Sequence, residues 1–150
     1  MSVDLGSLGV RFMIGGDDSG GGFSLVEHPM PPRGLAAPMH RHSREDEYSY
    51  VLEGRVCAQL GHEVVFGEVG DLIFKPRDQW HTFWNAGDEP ARILEIISPA
   101  GFERFFAEVA DPDLDPARRA SLPERYGIEF DVDSIPGLLE RHGLRFGPDG

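Results

Sequence analysis

Between residues 10 and 98 glycine and proline cut the chain into short apolar runs, none long enough for an ordinary helix. Runs 10–14, 23–28, 47–52, 55–60, 62–66, 71–74, 80–84 and 92–97 read as strands. Glu53-Gly54, Gly61, Gly67, Gly70 and Ala86-Gly87-Asp88 separate them with turn-forming residues. Many short strands at this spacing predict an all-β sandwich or barrel. Leu52-Glu53-Gly54-Arg55 predicts a tight hairpin, although Glu-Gly is a weaker turn signal than Asn-Gly. The glycine-rich stretch 15–22 lacks the Gly-Lys-Ser/Thr ending and following helix of a phosphate loop, so it reads as a flexible connection. Residues 29–38 read as a loop, because Pro29, Pro31, Pro32 and Pro38 cannot donate to a central ladder.

After Ser98 the period changes. Phe102, Phe105, Phe106 and Val109 fall on one helical face, with Ser98 as the expected N-cap and Pro99 at the first position. Asp115-Pro116 opens a second predicted helix ending near Gly127. Ser134-Ile135-Pro136 opens a third, with Leu138 and Leu139 inside and Gly143 as the C-terminal cap. Segments 125–130 and 141–146 look alike, and read as two helix ends each followed by an extended stretch. The expected organisation is one domain over 1–150, with a barrel core about 10–98 and a C-terminal helical appendage about 99–146.

A net charge of −12 argues against a nucleic-acid partner and against an anionic membrane surface. No run approaches the ~20 apolar residues of a membrane helix, and no basic region precedes an apolar one at the N-terminus. The single Cys57 cannot form an intramolecular disulfide and reads as a small buried core residue. A cytoplasmic location is expected.

His40 and His42 sit at i and i+2, one face of a strand, with side chains roughly 6.5–7 Å apart along it. A bend or bulge there would let both reach one cation at about 2.0–2.1 Å. Glu47 and a distant His81 would complete a four-ligand site. Three imidazoles and a carboxylate suit one divalent transition metal, whether Fe, Mn, Ni, Cu, Co or Zn, rather than calcium or magnesium. His28, His62 and His142 have no partner motif and read as ordinary surface or loop residues.

The flanking residues extend the pattern. Gly34, His40, His42, Glu47 and Gly54 fit Gly-x5-His-x-His-x4-Glu-x6-Gly in full. Gly70, Pro76, His81 and Asn85 fit Gly-x5-Pro-x-Gly-x2-His-x3-Asn, with Asp78 at the second glycine. This pair of motifs resembles the signature of the cupin superfamily. The resemblance implies a jelly-roll barrel of two packed antiparallel sheets holding metal inside one end. It implies His40, His42, Glu47 and His81 as the ligands, choosing Glu47 over its neighbours Glu45 and Asp46, which read as a solvated turn. Asp tolerates the left-handed region better than most residues, so Asp78 costs no ligand. Asn85 is assigned to the turn after its strand.

If His81 and Phe83 face the barrel interior, Trp80 and Trp84 face outward and need cover, from a second copy or from the C-terminal helices. Cupins commonly dimerise, so a homodimer is expected. The chain is also similar to small single-barrel dioxygenases of the quercetinase type. That likeness implies a small enolic or aromatic substrate bound through oxygen, Glu47 as catalytic base, and addition of dioxygen. Metal-dependent isomerases and decarboxylases, and non-catalytic small-molecule binding barrels, share the same framework. A decarboxylase would need a further acid near the pocket mouth, for which Glu45 and Asp46 are the candidates.

Overall fold

Strict alternation along Ala91–Ser98 organises the barrel: Ala91, Ile93, Glu95 and Ile97 are buried and Ile96 faces solvent. The computed structural model describes residues 1–148. Its strands are β1 (Ser2–Asp4), β2 (Gly9–Ile14), β3 (Ser24–Met30), β4 (Met39–His42), β5 (Asp46–Glu53) and β6 (Arg55–Leu60). They continue as β7 (Glu63–Glu68), β8 (Leu72–Lys75), β9 (His81–Asn85), β10 (Ala91–Ser98) and β11 (Ile128–Asp131). One antiparallel sheet has the order β1-β2-β3-β10-β5-β8 and the other β11-β4-β9-β6-β7. Val26, Val51, Val56, Phe83, Ile93 and Ile97 fill the space between them. Two packed antiparallel sheets with this crossed connectivity are the jelly roll expected.

Glu53-Gly54 is not a hairpin. β5 pairs with β10 and β8, whereas β6 pairs with β9 and β7, so this dipeptide carries the chain from one sheet to the other. Gly54 has φ 79°, and a Cβ there would lie 2.9 Å from the Ala91 Cβ and the Pro90 carbonyl. The tight hairpin is β6–β7, closed at Gly61 with Leu60 opposite Glu63. β3 runs through Pro29 to Met30, and Pro29 pairs with Arg92 on the β10 side. Among the described residues Pro29 has no ladder partner on β2, where its missing N–H would otherwise be needed.

The helices are a minor part. The glycine-rich stretch forms a single helical turn, α1 (Gly16–Ser19). α2 (Glu103–Val109) starts after Phe102, not after Ser98, whose hydroxyl donates to the Gly22 carbonyl at 3.0 Å. α3 (Pro116–Tyr126) is capped by Asp115, whose carboxylate accepts the Arg118 N–H at 2.8 Å, and ends on Gly127. α4 (Ile135–His142) ends on Gly143 as expected, but Ser134 does not cap it. The Ser134 hydroxyl donates to the Asp131 carbonyl and accepts the Met39 N–H at 3.0 Å, tying α4 to β4.

The C-terminal region is therefore more than an appendage. β11 adds a strand beside β4, and α4 covers the outer face of the second sheet. Leu35, Met39, Trp84, Leu138 and Leu144 form a second apolar cluster there, with the His142 ring stacked 4.4 Å from Trp84. Trp84 thus gets its cover within the chain, and His142 is a packing residue rather than a bystander. Trp80 is half-buried beneath the Arg41 guanidinium, 5.0 Å from its ring. Cys57 is half-buried beside the same cluster rather than fully enclosed. Among the described residues no helix is long and apolar enough to cross a membrane.

Candidate metal centre

β4 and β9 bring His40 and His81 directly opposite each other, with ring centroids 4.4 Å apart. The His42 ring lies 5.3 Å from His40, nearer than the strand repeat expected for straight β4. Beyond His40 the β4–β9 ladder gives way to a turn in which the Asp78 N–H donates to the His42 carbonyl at 2.7 Å. Asp78 takes φ 66°, the left-handed conformation that the glycine of the motif would supply. Glu47 comes from β5 in the other sheet, so the site bridges both sheets at one end of the barrel.

All four side chains are buried, and one ligand atom from each lies within 4.8 Å of the others. The His40 Nδ1 faces the Pro38 carbonyl at 2.8 Å and the His81 Nδ1 faces the Gln79 carbonyl at 3.0 Å. A carbonyl only accepts, so each Nδ1 carries a proton, which leaves Nε2 as the ligating atom of the neutral ring. The Glu47 Oε1 is 3.1 Å from the His42 Nε2 and 3.2 Å from the His81 Nε2. Ligands on a common ion at about 2.0–2.2 Å, set at right angles to tetrahedral, stand roughly 3–3.5 Å apart. The His81 Nε2 makes no aligned hydrogen bond despite the nearby oxygen. A lone pair facing a carboxylate oxygen is repulsive unless a cation lies between them. These four residues could hold one metal ion.

Two carboxylates dominate the charge around His42. Burial opposes charging His42, but Glu47 and Glu45 overcome it and push its pKa up to about 9. Burial and the neighbouring histidines hold His40 well below the usual imidazole range. Burial alone would raise Glu47, yet His42 and Lys75 outweigh it and keep the carboxylate ionised. Glu45 is not in a solvated turn: it is 5% exposed, with Oε1 3.6 Å from the His42 Nδ1. It stands where a carboxylate orients a ligating histidine from behind. Asp46 points away and pairs with Arg77 at 3.2 Å. Asn85 serves its turn: it donates to the Glu89 carbonyl at 2.7 Å and accepts the Gly87 N–H at 2.9 Å.

The site opens on a cavity of about 80 Å³ lined by His28, Phe83, Phe102, Phe105, Phe106 and Phe130 among others. Phe102 seats edge-on against His42 with centroids 4.5 Å apart. His28, read above as a surface or loop residue, is 2% exposed and faces this interior, whereas His62 is exposed as expected. Glu95 and Lys75 are also inside, each 1% exposed, as an ion pair at 2.8 Å. Glu95 further accepts the Ser49 hydroxyl at 2.6 Å. The inward parity of residues 91, 93, 95 and 97 was the available signal for Glu95, and that of Val26 for His28.

Residues 27–97 match the family model described as Cupin domain. They form a cupin domain. Over 66 residues the chain is 35% identical to the tetracenomycin polyketide synthase protein TcmJ of Streptomyces glaucescens, covering 44% of each. It is 28% identical over 116 residues to gentisate 1,2 dioxygenase 1 of Aquipseudomonas alcaligenes, covering 74% of this chain and 32% of that one. In both cases the cupin match spans less than half the relative's length. The solved structure of KdgF from Halomonas sp. superposes with a TM-score of 0.57 at 18% identity, over 65% of this chain and 84% of that one. That likeness is one of fold.

Proposed function

We propose that this cupin domain is a metal-dependent enzyme acting on a small enolic compound, with dioxygen as co-substrate. The observation that carries the reading is the meeting of His40, His42, Glu47 and His81 at a phenylalanine-lined cavity. A first-row divalent ion held by these residues would polarise a substrate oxygen and acidify its hydroxyl. Glu47, whose carboxylate lies beside that position, is the base that accepts the hydroxyl proton. Phe102, Phe105 and Phe106 would exclude bulk water from the resulting anion, and dioxygen would add across its enol carbons, both oxygen atoms entering the product as that carbon–carbon bond breaks.

Size narrows the substrate. A cavity of about 150 Å³ holds benzene, and this one has about 80 Å³. A short enol fits without rearrangement, whereas a flavonol requires the α2 phenylalanines to move aside. A second reading, a metal-dependent decarboxylase or isomerase that uses no oxygen, is favoured by one observation: Glu95 puts a further carboxyl group in the cavity wall.

The partner proposed is a second copy of the chain, docked on the outer face of β10-β5-β8, where Tyr50, Leu72, Phe74 and Ile96 are exposed. The single half-buried Cys57 fits a reducing, cytoplasmic setting. Loading the protein with each first-row metal and recording oxygen uptake with short enols and diketones tests the main reading. Uptake that depends on metal and on Glu47 supports it; metal-dependent turnover without oxygen uptake moves the assignment to the second reading.

A further inference from the structure

The cavity has a second polar feature, on β3. The His28 Nδ1 lies 2.9 Å from the Gly9 carbonyl, which can only accept, so Nδ1 carries the proton. Burial pushes the ring's pKa down, so it stays neutral with a lone pair on Nε2. Phe106 meets the ring edge-on at 5.3 Å and Phe83 lies at 6.0 Å, so two aromatic walls fix its plane. Among the described residues no protein group bonds the His28 Nε2.

The neighbouring charged groups are paired with each other, although the Lys75 Nζ and the Glu95 Oε1 make no aligned hydrogen bond. Glu95 lines the same cavity, but Lys75 balances its charge and Ser49 donates to it. Lys75 in turn lies over the Phe83 ring at 4.2 Å. His28 is left as a neutral acceptor with a fixed orientation in an otherwise apolar wall. A ligand that covers this acceptor without offering it a donor pays a cost, so a site built this way selects ligands that bring a hydroxyl.

We propose that His28 is a specificity-determining residue that accepts a hydrogen bond from a hydroxyl of the substrate remote from the metal-binding end. The ligand class is a short oxygenated compound with a chelating end and a distal hydroxyl. This rests on the metal-dependent reading above and extends it to the other end of the pocket.

The test uses inert probes that share one chelating end: lactate, glycerate and 2,4-dihydroxybutanoate. The cobalt(II)-loaded protein is titrated with each and followed by its d–d absorption. The wild type is expected to bind glycerate or dihydroxybutanoate roughly three- to tenfold more tightly than lactate, the ratio one net hydrogen bond gives. His28→Phe, which keeps a ring but removes the acceptor, should bring those affinities to the lactate value with full cobalt loading. His28→Gln, which restores an acceptor, should recover part of the preference. A purely structural role would change melting temperature or cobalt content without changing the ratio. Equal affinities in the wild type, or a preference that survives His28→Phe, overturn the assignment while the metal centre stands. A wild type that takes up no cobalt overturns both.

Discussion

Phe130 on β11 pairs with His40 on β4, and their rings lie 5.8 Å apart. A strand from the far C-terminal region thus supports a side chain of the candidate metal centre.

Phe130→Ala should remove that support. The side chain is half-buried, so the loss is expected at the lower end of the Phe→Ala range, about 3 kcal/mol. Metal affinity should fall with it, because His40 loses a wall that fixes its ring. Thermal melts with and without added metal check both effects.

Much of this site was legible in the sequence, because ligand spacing survives whatever the intervening loops do. Fixed intervals from Gly34 to Asn85 singled out four residues that the structure brings together and that could hold one metal ion, and the left-handed tolerance of Asp explained position 78. What sequence did not reveal was lateral. Glu53-Gly54 looks the same whether it closes a hairpin or crosses between sheets, since pairing depends on distant partners such as Ala91. β11 is only four residues long, and its strand character comes from pairing with β4. Glu45 reads as part of a solvated turn because nothing local says what buries it, and the burial of Lys75 likewise depends on distant partners such as Glu95.

Lys75→Met should be severely destabilising. It leaves Glu95 buried without its counter-charge, at a cost of about 3–5 kcal/mol. Adding Glu95→Gln should recover most of that loss, because the double variant holds no unpaired charge. Urea unfolding of the two single variants and the double reads the coupling directly.

Stability should respond to acid through Glu27. Its hydrogen bond from Arg11 lowers its pKa most, burial opposes the shift, and Arg92 adds to the lowering. A depressed folded value means the stabilisation is present above the unfolded pKa of about 4.3 and is lost as pH falls through the folded value. Glu27→Gln is expected to lower Tm by about 2–4 °C at pH 7, discounted for the exposed arginines. The difference should shrink steadily on going from pH 5 to about pH 3. Calorimetry across that range checks the sign.

Tyr48 and Phe74 stack at 5.0 Å on the outer face of the first sheet, where β8 is an edge strand. If a second copy docks there, Phe74→Glu should shift a dimer to monomer at micromolar concentration without lowering metal content. Light scattering coupled to size exclusion reads the change.

Metal stoichiometry tests the central claim most directly. Protein purified, stripped and reloaded with first-row divalent ions should hold one ion per chain by elemental analysis. The ion should also raise Tm, and His81→Ala and Glu47→Ala should each abolish tight retention. Wild-type protein that retains no ion after metal excess and desalting, with a Tm identical to that of His81→Ala, would contradict the account.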